Sequence, residues 1–300
     1  MKILLVGATG RLGGAIAQAL LAQGRTVRIL VRRNSPSVEL AKQGLATSAE
    51  SLIAAGAHPV YGDLKEPGSL EPACQGIDIL ITTANSALRS GDDNPQTVDR
   101  DGNRNLIDAA KAAGVKQFIF VSTLGASPDS PVPFLAAKGQ TDAYLAASGM
   151  AYTILAPTSY MEVWPAMVVG KPVATGRPVT LVCEARGRQS FVSAADVAAY
   201  TVACMENPDA INHYLAISGP QAFSYREVVD VYEQVLGRPI PVNFVAPGEA
   251  VPGLAPFFSE ILAADFDMIV DSSETARKFG VNQTSLEEEV RRSFERNAVG

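Results

Sequence analysis

The chain is poor in the residues that build metal centres and disulfide frameworks. Its 300 residues include two histidines, His58 and His213, and three cysteines, Cys74, Cys183 and Cys204. The histidines lie far apart, with no cysteine or carboxylate at ligand spacing, so no metal site is expected. An odd number of widely spaced cysteines argues against a disulfide framework and for a cytoplasmic location. No run of lysine and arginine exceeds two residues, and the net charge is −6. Sequence-independent nucleic-acid binding needs a basic surface to displace counterions, so it is not expected. No apolar run approaches the roughly 18 residues of a membrane helix. The opening "MKILLVGATG" is too short for a signal-peptide core, and no membrane association is expected. What remains, 47% hydrophobic and 19% charged residues, describes a globular chain with a substantial core.

One phrase repeats through the first half. An alanine-rich, helix-like segment ends in glycine and a β-branched run follows: "LLAQG-RTVRILV", "IAAGA-HPVYGD", "ACQG-IDILITT", "KAAG-VKQFIFVS" and "AASG-MAYTILA". Gly24, Gly56, Gly76, Gly114 and Gly149 suit the left-handed residue that closes a helix. The near-continuous apolar runs suit strands covered on both faces. With "KILLVG" at the start, six strands alternate with helices, which predicts a doubly wound α/β fold around a parallel sheet. After about residue 157 prolines become frequent and the alternation stops. The expected division is a Rossmann-type dinucleotide-binding domain over 1–157 and a smaller α+β substrate lobe over 158–300. That lobe is expected over the sheet's carboxyl edge, with room for segments that return to the sheet.

"VGATGRLGG" follows the first strand and opens a helix, with glycines at Gly7, Gly10 and Gly13. Glycine there lets main chain approach a diphosphate, whose charge the helix N-terminus attracts. Gly7, Thr9, Gly10, Arg11, Leu12 and Gly13 are therefore candidate cofactor contacts. An NAD site would place an acidic residue at the end of the second strand. This chain has Arg32 and Arg33, whose guanidinium groups suit a 2′-phosphate, so NADP(H) is expected over NAD(H).

These motifs, with "VYGDL", "DRDGNRNLIDAAKAAGVKQFIFVST", "AKGQTDAYLAASGMAYTILAP" and "RQSFVSAADVAAY", resemble the short-chain dehydrogenase/reductase superfamily. More narrowly, the chain resembles its atypical NmrA-like branch of NAD(P)H-binding proteins and quinone reductases. The resemblance implies that Asp63 and Leu64 lie beside the adenine. It implies that Thr82, Thr83 and Ala84 line the middle of the cofactor, and that Pro157, Thr158 and Ser159 approach the nicotinamide. Thr123 falls where relatives often carry a catalytic serine. The superfamily's Tyr-x-x-x-Lys pair reads Phe134-Leu-Ala-Ala-Lys138 here, so the proton-donating phenol is absent. Lys138 is then a candidate for holding the ribose or donating a proton, and the small Ala136, Ala137 and Gly139 leave room for a close ligand. Phe134, Tyr160, Met161 and Trp164 are candidates for an apolar substrate wall. The implied activity is NADPH-dependent reduction of a quinone or a similar conjugated carbonyl compound. The alternatives are a non-catalytic NADP(H)-binding sensor that regulates a protein partner, and, disfavoured by Phe134, a nucleotide-sugar epimerase or dehydratase.

Overall fold

Six strands of the first half form consecutively: β1 (Lys2–Val6), β2 (Thr26–Val31), β3 (His58–Tyr61), β4 (Ile79–Thr82), β5 (Gln117–Val121) and β6 (Tyr152–Pro157). The computed structural model describes residues 1–33, 46–87, 89, 91–254 and 256–298. The strands hydrogen-bond in the order β3-β2-β1-β4-β5-β6, and all five of these pairings are parallel. The strand His213–Ile217 extends the sheet beyond β6. Asn212 N–H donates to Tyr152 O and Thr158 N–H donates to Ile217 O, so this seventh strand also runs parallel. "HYLAIS", far along the chain, thus returns to the sheet.

Between the strands lie α1 (Arg11–Ala22), α2 (Ala49–Ala54), α3 (Pro67–Cys74), α4 (Asn103–Ala112) and α5 (Pro133–Ala147). The five punctuating glycines close these helices at positive φ: 69° at Gly24, 105° at Gly56, 68° at Gly76, 73° at Gly114 and 79° at Gly149. Strand residues Leu4, Val6, Leu30, Leu80, Phe118, Phe120 and Ile154 pack with Leu70, Leu106, Ile107 and Leu145 of α3, α4 and α5. Ile3, Leu5, Ile29, Ile81 and Ile119, at alternate positions, are buried as well. Because successive strand residues face opposite ways, both faces of the sheet are covered, as the unbroken apolar runs require.

The chain divides into two compact units, Met1–Pro157 with Val197–Ala216, and Thr158–Asp196 with Ile217–Gly300. The second has its own core, in which Met161, Val169, Leu181, Phe191, Tyr225, Val228 and Leu286 are buried together. Its strand Val179–Val182 pairs in parallel with Val242–Val245, and Gln189–Ser190 pairs antiparallel with Ala222–Phe223. The helix Tyr225–Leu236 starts from a reciprocal Ser224–Glu227 cap and stops at left-handed Gly237. The charged terminal helix, Leu286–Ala298, starts the same way: Ser285 N–H donates to Glu288 at 2.8 Å and Glu288 N–H donates back to Ser285 Oγ at 3.2 Å.

Candidate functional site

The strand order reverses between β1 and β4, whose partners run outward to opposite edges. In open α/β sheets ligands bind outside the carboxyl ends of the strands at this switch point. The glycine loop sits there. Gly7 adopts φ +85°, and a Cβ on it would lie 2.5 Å from Thr83 Oγ1, so only glycine allows β1 to turn this close to β4. A Cβ on Gly13 would run into the Gly7 carbonyl, so that glycine serves helix-to-strand packing. Gly10 differs. It is exposed, its φ is −75°, and among the described residues a Cβ on it would meet only Gly7 O, at 3.3 Å. As N-cap of α1 it offers no side-chain acceptor to the first-turn amides. Gly10 forms an antiparallel backbone bridge with Ala46, and Thr47 N–H donates to Thr9 O at 3.0 Å, so the anion-binding donors of this helix end are the Leu12 and Gly13 amides, which no side chain caps among the described residues. Arg11 is exposed.

At the end of β2, Arg32 Nη1 donates to Asp93 at 2.6 Å and lies 3.9 Å from Asp63. Arg32 Nη2 is buried and has no hydrogen-bond partner among the described residues. Arg33 is exposed and lies over the Tyr61 ring, 4.9 Å from its centroid. Asp63 also accepts from Lys65 N–H at 2.9 Å, while the Leu64 side chain belongs to the core. Thr82 Oγ1 donates to Asn103 at 3.1 Å and Thr83 Oγ1 donates to Gly7 O at 3.3 Å, so both hydroxyls tie β4 to its neighbours. Ala84 is half-buried beside them.

Lys138 is not a stem reaching into water. Only 1% of it is exposed. Its Nζ donates to Val121 O at 3.1 Å, lies 3.5 Å from Asp99 Oδ1, and stands over the Phe120 and Phe134 rings at 4.6 and 5.9 Å. Desolvation pushes the ammonium pKa down, and Asp99 and Asp142 oppose that. Asp99 is fully buried and accepts from Ser86 N–H at 3.0 Å and Ser86 Oγ at 2.6 Å. It sits in a π-helical stretch, Pro95–Gly102, that leads into α4. The space beside Gly139 is filled by the Ser127–Pro128 backbone rather than left open, because α5 packs on that loop.

At the end of β5, Ser122 faces inward and donates to Asp142 Oδ2 at 2.8 Å, while Thr123, half-exposed, makes only a 3.5 Å contact to Leu124 O. Pro157 is buried, and its carbonyl accepts from Leu124 N–H at 2.9 Å. In the second unit, Thr158 is buried and Ser159 Oγ donates to Gln189 at 3.3 Å. Met161 lies in that unit's core, Tyr160 is half-buried, and Trp164 meets Phe258 edge-on at 5.3 Å. Sequence reasoning passed over Ser86, Asp93, Asp99, Ser122 and Asp142. Of these, Asp142 alone carried a local signal, four residues after Lys138 on the same helix.

Burial raises the Asp142 carboxyl from 3.8 to about 6, against the Ser122 hydrogen bond and Lys138, which lower it. The folded state therefore holds this proton more tightly than the unfolded chain does. Stability from this group is full below pH 3.8 and is lost as pH rises through about 6, a difference of about 3 kcal/mol. An asparagine would keep the bond from Ser122 but leave an amide donor where Asp142 Oδ1 has no partner. Asp142→Asn is expected to stabilise the protein by about 1–2 kcal/mol at pH 8 and to lose that gain below pH 4, read by urea unfolding at both pH values.

Among the described residues, no helix is long and apolar enough to cross a membrane, and no group of three or more histidine, cysteine or acidic side chains could hold a metal ion.

Sheet order, switch-point glycine loop and uncapped helix define a Rossmann-type doubly wound protein. The chain belongs to the NmrA-like family, whose model matches residues 1–292, and the resemblance read from its motifs is borne out. An NAD(P)H azoreductase from Xenophilus azovorans is 31% identical over 247 residues, covering 81% of this chain and 76% of that protein. The photosystem II assembly factor Ycf39 of a Synechocystis species is 28% identical over 317 residues, covering 99% of this chain and 91% of that one. The NADPH-dependent quinone oxidoreductase QOR2 of Escherichia coli, solved with NADPH, is similar in fold, with a TM-score of 0.76 at 24% identity over 97% of this chain and 99% of that one.

Proposed function

We propose that this protein binds NADP(H) in preference to NAD(H) and reduces a quinone or a similar apolar, conjugated carbonyl compound. The observation that carries the reading is a pair of donor sets at the switch point: the Leu12 and Gly13 amides of α1, which no side chain caps, and the buried Nη2 of Arg32, which has no hydrogen-bond partner among the described residues. Both suit a nucleotide with phosphates at two places. The amides of Leu12 and Gly13 would hold the diphosphate, and Arg32 would take a 2′-phosphate. Asp63, Thr83 and Ala84 would flank the adenosine side and middle of the molecule. When bound, the nicotinamide would supply a hydride.

The protein's own part is positioning and exclusion of water. Thr123 presents the half-exposed hydroxyl at the end of β5, while Lys138 braces that edge through its bond to Val121 O, its charge faced by Asp99. Phe134 cannot donate a proton. A quinone suits such a site, because hydride addition leaves a weakly basic oxygen that water can protonate, giving the quinol. NADPH oxidation by purified protein over a panel of quinones and azo dyes is the test. Turnover faster with NADPH than with NADH supports the reading, and no turnover with any acceptor removes it.

The sealing of Lys138 by Asp99 and the phenylalanine at position 134 favour a second reading, a non-catalytic NADP(H) sensor acting on a protein partner; one relative, Ycf39, is named an assembly factor. In the same assay it predicts saturable binding of the nucleotide and no consumption of it.

A further inference from the structure

Three cations from three separate segments converge on one carboxylate. Arg32 after β2, Lys65 after β3 and Arg89 reach Asp93 at 2.6, 2.7 and 2.9 Å. Burial acts to raise the Asp93 pKa, but hydrogen bonds from Lys65, Arg32 and Arg89 outweigh it and hold the carboxyl well below the usual range. Asp93 is therefore an anion at every working pH. With Asp63 at 3.9 Å from Arg32, the cluster contains three positive and two negative groups among the described residues. An exposed ion pair usually joins one cation to one anion and is worth little. Here a single carboxylate with two oxygens occupies donors that a phosphate with three could engage, while Arg32 Nη2 has no partner among the described residues.

We propose that Asp93 is an internal counter-ion that a 2′-phosphate must displace from Arg32, and that it thereby sets the discrimination between phosphorylated and unphosphorylated adenosine. The inference rests on the assignment of Arg32 to the 2′-phosphate made above. A nucleotide without that phosphate leaves the Asp93 cluster intact. One that carries it must break the Arg32–Asp93 bond and bring its own negative charge beside Asp63. Asp93 accordingly weakens binding of the phosphorylated nucleotide and leaves the other unaffected.

Calorimetry with 2′,5′-ADP and 5′-ADP, which cannot turn over, tests this on wild-type protein, Asp93→Asn and Arg32→Gln. Asp93→Asn is expected to tighten 2′,5′-ADP by about tenfold or more and to leave 5′-ADP within about twofold. Unchanged or weaker 2′,5′-ADP binding, with Arg32→Gln still abolishing the wild-type preference for it, overturns the role of Asp93 alone. If the wild type binds both ligands equally and Arg32→Gln changes nothing, the assignment of Arg32 falls, and this inference with it. Should Asp93→Asn not fold, a crystal structure of the wild type with 2′,5′-ADP decides. The 2′-phosphate on Arg32 with Asp93 moved off it supports the proposal, and Asp93 still hydrogen-bonded to Arg32 overturns it.

Discussion

Replacing Gly10 by aspartate is expected to abolish nucleotide binding and leave the fold intact. Position 10 is the N-cap of α1, with extended backbone at φ −75° and ψ 167°, which any residue adopts. Among the described residues a Cβ there meets one atom, Gly7 O, at 3.3 Å, so the loop has to give by only a few tenths of an ångström. Aspartate is also a better cap than glycine, since its carboxylate accepts from the first-turn amides. Stability should therefore stay within about 1 kcal/mol of wild type. Those same amides are the donors assigned to the diphosphate. The aspartate would fill them and add a like charge beside the approaching phosphates, for a loss of about a hundredfold or more in affinity. Calorimetry with NADPH, alongside thermal unfolding of the same sample, reads both effects. Wild-type affinity in a well-folded Gly10→Asp protein would show that the nucleotide, if bound, is held elsewhere. Gly13→Val makes the contrasting control, because its side chain meets the Gly7 carbonyl and should damage the fold itself.

Lys138→Met should destabilise the protein by about 3–5 kcal/mol, with most of the loss recovered in Lys138→Met/Asp99→Asn. The lysine is fully buried, and so is its partner carboxylate 3.5 Å away. Methionine fills a similar volume against Phe120, so the loss is not one of packing. Its source is Asp99, left as a buried anion with only the two Ser86 donors. Making position 99 neutral removes that penalty, because Ser86 can still donate to the asparagine carbonyl oxygen. Urea unfolding of the wild type, both single variants and the double variant gives the coupling, expected at about 2 kcal/mol or more. Strict additivity, or a single variant as stable as wild type, would mean that the ammonium and carboxylate do not act as a pair.

Much of the first unit was legible because its signals are local. The recurring glycines mark helix ends whose left-handed backbone excludes most side chains, and the apolar runs between them are strands. The glycine loop carried its meaning through position, directly after β1 and before α1. The seventh strand was harder. "HYLAIS" is an ordinary strand pattern, and nothing nearby says that its partner is β6, about sixty residues earlier. Lys138 was legible as a residue of interest but not as to its surroundings. Small neighbours at 136, 137 and 139 read as room for a ligand, while the Ser127–Pro128 backbone takes the space at Gly139.

Asp93 and Asp99 show the other limit. In "SGDDNPQTVDRDG" they look like turn and helix-surface acids. The cations that meet Asp93 come from as far as 61 residues away, and the π-helical stretch carrying Asp99 departs from the 3.6-residue period by which a buried face is counted. The amino-acid sequence by itself determined the alternation of strand and helix, the glycine turn and the guanidinium after β2, since backbone sterics and side-chain chemistry act over a few residues. Only the tertiary structure decided which carboxylates those cations meet, and that Lys138 is closed off from water. Charge neutralisation and desolvation depend on distances in space, and folding brings together groups that the chain order keeps apart.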